Sequence, residues 1–538
     1  MNVSHLVRSA RVVVMIFFGL NLPAYAQESK ADNTAGAVIP EDLMTVAEAS
    51  DYTATSTSAE VSRFLATCDS RAEHVTQFEF GRTSLDQPMM AAVFASSAVT
   101  GPPKDERLVV LLLGNIHSGE CDGKEALLML ARELTLDAHH PLLQKLVIII
   151  APNYNADGND NMSPDNRPGQ IGPIQGMGKR ETAQGFDLNR DFMKLETPEG
   201  RALVRLINQW NPHVFIDCHT TNGSIHRYPL TYDIPHGPAV SASLRSYLRE
   251  KMMPEVTGTM KAAGYDTFYY GNFNEDYSRW ESFGFEPRYS TEYLGLRGRI
   301  GILSESYSYT DYKTRIVVTR EFVLRCLNYV VDHSGEISPL LKSVESEMAS
   351  QAASKDSELP LNATLAPFEG KRTVLGRLPN SDEPKDYDVE FWGNYLPANK
   401  TAIPNAYVIP ASETTVVDNL RAHGIRLEQL AKTVRANATV RTVRSIQKSV
   451  RSFQKHNMVT VTTDHREEMR ELAEGSYVVS TAQPLGRLAI WLLEPESVDG
   501  LVTWNFFDAS LKEGTDFPIV SLKDVSALSL SAVEAKGQ

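Results

Sequence analysis

Cysteine is scarce in this chain of 538 residues, which holds only Cys68, Cys121, Cys218 and Cys326. None stands in a C-x-x-C pair, which argues against a cysteine-ligated metal, and four in so long a chain do not make a disulfide framework. Long apolar runs are missing as well: after residue 26 no segment is apolar enough to span a bilayer. Basic residues are outnumbered, with 53 Lys and Arg against 67 Asp and Glu, a formal charge of −14. That balance argues against an extended nucleic-acid-binding surface, which needs clustered cations. No internal repeat is visible, which sets solenoids and propellers aside.

What is present begins with an export signal. Arg8 and Arg11 precede a short apolar stretch, 12–22, and Ala24-Tyr25-Ala26 forms a small-x-small cleavage pattern. Residues 1–26 therefore read as a signal peptide, with the mature chain secreted or periplasmic and without a stable membrane span. The whole chain is 42% apolar and 22% charged, as in globular proteins, and is too long for one ordinary core.

Periodicity predicts a helix over 59–67, strands over 75–80 and 89–94 with Gly81 opening the turn between them, and a buried strand over 108–113. A helix over 124–135, a strand over 146–151 stopped by Pro152, a helix over 199–210 and strands over 213–217 and 300–303 follow. Residues 152–190, rich in Gly, Asn and Pro, read as a long loop of the kind that carries function. Buried strands alternating with amphipathic helices imply an α/β sheet covered on both faces, over 45–340. Residues 341–367 read as a linker, and 368–530 as a smaller, β-rich α+β domain. Its basic run, 421–455, reads as a solvated strand face, and Trp504 and Phe506 as core.

In sheets of this class, ligands sit beyond the carboxyl ends of the strands. His117, Asn153, His219 and Glu305 all fall at such ends. His117-Ser118-Gly119-Glu120 offers an imidazole and a carboxylate that can point at one ion from a single turn. A catalytic zinc site takes three protein ligands and keeps one position open for water. His219 is the expected third ligand, with Asp217 placed to support one. A second H-x-x-E, His465 to Glu468, is expected to precede a surface helix and to be solvated charge.

Several segments, in order, resemble the zinc metallocarboxypeptidases of the carboxypeptidase A/B type. His117 to Glu120 is similar to their H-x-x-E, residues 152–158 (PNYNADG) to their N-P-D-G turn, and Asp187-Leu188-Asn189-Arg190 to their D-x-N-R. Residues 216–219 resemble the strand with their third ligand, 302–305 the strand with their catalytic glutamate, and 58–96 their opening helix and hairpin. The resemblance implies a mixed central sheet flanked by helices and one Zn2+ held by His117, Glu120 and His219. It implies Glu305 as the general base toward water, and Asn189 with Arg190 as the clamp on a substrate carboxylate. It further implies Arg167 at the oxyanion, and either Tyr289 or Tyr293 as the tyrosine over the substrate. The reaction implied is hydrolysis of a carboxy-terminal peptide bond in a substrate with a free carboxylate. An N-acyl amino acid deacylase of the aspartoacylase type shares the ligand motifs, although the opening helix and hairpin favour the peptidase. A catalytically silent binding module is the remaining alternative, against which stands the retention of all three ligands and Glu305. Arg288, Arg297, Arg299, Phe283 and Glu292 fall in the segment expected to line the specificity pocket.

Overall fold

Strand Leu108–Gly114 (LVVLLLG) is buried at every position. Val109, Leu111 and Leu113 enter one apolar cluster, and Leu108, Val110 and Leu112 another. The same split divides Leu146–Ala151. Side chains of a strand alternate between faces, so a strand apolar on both faces must have layers above and below it. Each fully buried Leu or Ile contributes roughly 1.5–3 kcal/mol relative to exposure.

A computed structural model describes residues 39–532 except 222 and 355. The signal-peptide reading, 1–26, lies outside the described residues. The central sheet contains β1 (Val75–Arg82), β2 (Pro88–Phe94), β3 (Leu108–Gly114), β4 (Leu146–Ala151), β5 (Val214–Thr220), β6 (Leu230–Asp233), β7 (Thr267–Tyr269) and β10 (Ile300–Ser306). Their order is β1-β2-β4-β3-β5-β10-β6-β7. Its centre is parallel, while β1 with β2, β2 with β4 and β10 with β6 pair antiparallel and β6 with β7 parallel, so the sheet is mixed. Helix Pro198–Trp210 covers one face through Leu203, Leu206, Ile207 and Trp210. Helices Ser58–Arg71, Cys121–Leu136 and Tyr312–Asp332 cover the other. Local chemistry sets the helix ends. Thr57 and Glu60 form a reciprocal capping box, and the Thr197 side chain caps a helix that opens on Pro198.

Strands β8 (Gly271–Phe273) and β9 (Arg279–Ser282) leave this sheet and join the hairpin of β11 (Glu358–Arg377) and β12 (Pro384–Ala402). β9 pairs in parallel with β12, Trp280 opposite Phe391. The stretch read as a linker is helical to Ala353, within Ser334–Ala353, and strand from Glu358. A seven-stranded sheet follows, dominated by the hairpin of β15 (Val434–Lys448) and β16 (Val459–Leu472). His465 lies within β16 opposite Arg441, not before a helix. Among the described residues no helix is long and apolar enough to cross a membrane.

Candidate metal centre

After β3 the chain turns sharply through His117 to Glu120, where the Glu120 N–H donates to the His117 carbonyl, 3.0 Å. Gly119 has φ 96°, and a Cβ there would sit 2.6 Å from the Gly178 carbonyl oxygen, so only glycine fits. From the middle of the sheet, His219 on β5 is in register with Glu305 on the parallel neighbour β10. These two strands therefore deliver an imidazole and a carboxylate side by side.

His117, Glu120 and His219 are at most 4% exposed. His219 Nδ1 lies 3.0 Å from Glu120 Oε2 and 3.1 Å from His117 Nδ1, and His117 Nδ1 lies 3.2 Å from Glu120 Oε1. The opposite ring nitrogens face carboxylates: His117 Nε2 is 2.8 Å from Asp187 Oδ1, and His219 Nε2 is 2.9 Å from Asp217 Oδ2. Asp187 accepts the His117 Nε2 hydrogen and so turns the His117 Nδ1 lone pair toward the Glu120 carboxylate. Asp217 lies within ion-pair distance of His219 Nε2, and the His219 Nδ1 faces the same point. Two imidazole nitrogens and one carboxylate oxygen are a zinc donor set, and the three residues can hold a metal ion.

The surrounding charges fit this reading. Burial works to raise the Glu120 carboxyl, but Arg167 and His117 hold it well below the usual range. Arg167 Nη2 donates to Glu120 Oε1 at 2.8 Å. Burial likewise opposes ionisation of Asp187, and His117 and Arg180 outweigh it. Burial pushes the Glu305 carboxyl up; the Glu120 charge adds to this and His219 opposes it.

Beside this cluster lies a cavity of about 130 Å³. Asn189, Arg190, Tyr289 and Glu305 line it. Arg190 stands over the Tyr289 ring, and the Asn189 side chain accepts from the Ser290 N–H, 2.9 Å. Two expectations need correction. Arg167 is not among the cavity-lining residues, because its guanidinium is spent on Glu120 and Gln170. Arg180 lines the cavity instead, 2.8 Å from Asp187 Oδ2 and 3.4 Å from Glu120 Oε1. Sequence reasoning missed it; its signal was a basic residue seven positions before Asp187 in the same loop. Tyr293 is fully buried, its hydroxyl engaged by His423 Nδ1 and Arg297. Phe283 and Glu292 also line the cavity, with Asp233 and His236. Arg288, Arg297 and Arg299 are turned away, bound to Asp499, Asn208 and Glu345 respectively. All four cysteines are buried free thiols.

A profile described as zinc carboxypeptidase matches residues 61–274. Carboxypeptidase 2 of Trichophyton rubrum is 24% identical over 452 residues, covering 80% of this chain and 79% of the relative. Human carboxypeptidase Z is 30% identical over 176 residues, 31% of this chain and 26% of its own. Among solved structures, a metallo-carboxypeptidase from Burkholderia cenocepacia is 17% identical with a TM-score of 0.38, covering 51% of this chain and 68% of that one. The profile match contains both arms of the metal cluster, from His117 to His219, so the chain is similar to the zinc carboxypeptidases over the residues that build this cluster.

Proposed function

We propose that this enzyme removes the carboxy-terminal residue of a peptide with a free carboxylate, using one zinc ion held by His117, Glu120 and His219. The observation that carries the proposal is the convergence of two imidazole Nδ1 atoms on the Glu120 carboxylate, beside Glu305, in a cavity that also contains Arg190. A zinc ion there supplies Lewis acidity at the scissile carbonyl and at the attacking water. Glu305 takes a proton from that water at its carboxylate and returns it to the leaving amine. Arg180, rather than Arg167, places its cation beside the developing oxyanion. Arg190 pairs with the terminal carboxylate of the substrate in the planar, bidentate manner of a guanidinium, and Asn189 fixes the neighbouring wall. Catalysis is assigned to residues 45–340, with 368–530 as an accessory domain. The pattern of residues 1–26 supports a secreted or periplasmic location.

The test is metal stoichiometry together with turnover of a peptide panel. One zinc per chain and activity lost to a chelator and restored by zinc are expected. A purified protein that cleaves peptides equally well without metal contradicts the proposal.

A further inference from the structure

Asp187 is the pivot of the metal centre. Its Oδ1 meets His117 Nε2 at 2.8 Å, and its Oδ2 accepts from Arg180 Nη2 at 2.8 Å and Nε at 3.1 Å. The residue is 6% exposed and opens the short turn Leu188–Arg190, whose hydrogen bonds use the Asp187 carbonyl and side chain but not its N–H. That N–H donates to Gln454 Oε1 at 2.9 Å, across 267 positions of sequence. The atom facing an N–H must be an acceptor, so the amide orientation of Gln454 is set by the contact itself.

Gln454 sits at the tip of the β15–β16 hairpin. Phe453 and His456 exchange backbone hydrogen bonds of 2.8 and 2.9 Å around Gln454 and Lys455, whose φ angles are 50° and 65°. Two consecutive left-handed residues favour glycine or asparagine, and neither is present. The side chains found there are used instead: Lys455 Nζ donates to the Gln184 carbonyl, 2.6 Å, and stands over the Phe186 ring. The tip is anchored from both sides. His456 bridges Glu196 and Asn505, each at 2.9 Å, and Arg288 stands over the rings of Phe453 and Trp504 while paired with Asp499. A strained turn, held firmly, thus presents one acceptor to one buried donor.

We propose that Gln454 is a positioning residue of the metal centre: through the Asp187 backbone it fixes the carboxylate that orients His117 and Arg180. The C-terminal region is then part of the active site rather than an appendage. This inference rests on the zinc site proposed above. Partners that orient a metal-bound histidine influence metal affinity by about 10–100-fold when removed. Gln454 acts one residue further out, so an effect near the lower end, about tenfold, is expected.

The experiment compares full-length, zinc-loaded wild type with Gln454→Gly and Lys455→Gly. Both substitutions relieve a left-handed side-chain-bearing residue and remove one anchoring contact of the turn, so a merely structural role predicts similar changes in thermal stability and in zinc release for both. The readouts are the rate of zinc release to a chelating dye and the visible spectrum of the cobalt-substituted protein. Expected for Gln454→Gly are roughly tenfold faster zinc release and an altered cobalt spectrum at a thermal stability close to that of Lys455→Gly, whose zinc release and spectrum resemble wild type. Wild-type release from Gln454→Gly overturns the inference, as does equally fast release from both variants. A wild type that binds no stoichiometric zinc overturns the zinc site itself and this inference with it.

Discussion

Arg190 holds its guanidinium carbon 4.6 Å from the centre of the Tyr289 ring, and both side chains line the cavity beside the metal cluster. A cation over an aromatic face is stabilised by about 0.5–2 kcal/mol, depending on its exposure to water. The ring also fixes the plane in which the guanidinium meets a carboxylate. Tyr289→Ala is expected to raise KM several-fold. Tyr293→Phe should leave KM unchanged but lower stability by roughly 1–3 kcal/mol, because it strands His423 Nδ1 in the core and removes one of the acceptors of Arg297. Steady-state kinetics and denaturant unfolding separate the two; a raised KM in Tyr293→Phe would mean that the buried tyrosine reaches the substrate.

Removing a metal ligand tests the cluster directly. His117→Ala or His219→Ala should weaken zinc binding by more than about 100-fold, since even indirect partners of a ligand contribute up to that much. His465→Ala, on the exposed hairpin, should retain full zinc. Zinc content after dialysis reads this, and a fully loaded His219→Ala variant is incompatible with the assignment.

Glu305→Gln keeps the shape of the side chain and removes its basicity. Zinc content and thermal stability should be retained while turnover falls on the order of 10²-fold or more. Near-normal turnover would assign water activation to another residue.

Glu292, in the cavity wall, supplies a pH-dependent test. Burial pushes its carboxyl from an ordinary value of 4.5 up to about 7, partly offset by His236 and by the backbone N–H groups of His236 and Gly237. Between these values the folded state keeps the proton that the unfolded chain has released, so this residue's contribution falls as pH rises through the window and levels off above it. Gln can accept the same N–H bonds without ionising. Glu292→Gln should therefore match wild type near pH 4.5 and exceed it in stability by roughly 1–3 kcal/mol at pH 8. A stability difference independent of pH would show that Glu292 does not titrate as its burial requires.

The legible parts of this protein are those whose signal is local. Strands β3 and β4 are apolar at nearly every position, so their burial on two faces follows from composition alone. His117 follows such a strand, His219 and Glu305 lie near the carboxyl ends of β5 and β10, and the structure brings them to one place. Residues 152–190 have no period to read, and tertiary contacts decide that Arg180 rather than Arg167 faces the cavity. Tyr289 and Tyr293 differ only in what lies above them, and His423, 130 positions away, draws the second into the core. The charged string around His465 has helix-forming residues, but pairing with β15 overrides that preference. No local pattern could connect Gln454 to Asp187.

The measurement that bears most directly on the proposed reaction is the rate of cleavage of one peptide with a free carboxyl terminus and with an amidated one, by wild type and by Arg190→Ala. A charge-assisted contact of this kind contributes roughly 1.5–3 kcal/mol, about ten- to a hundredfold in kcat/KM. Wild type should prefer the free terminus by that factor, and Arg190→Ala should lose most of the preference while keeping its zinc. Equal rates on the two peptides by wild type, or turnover confined to N-acyl amino acids, would contradict a carboxypeptidase.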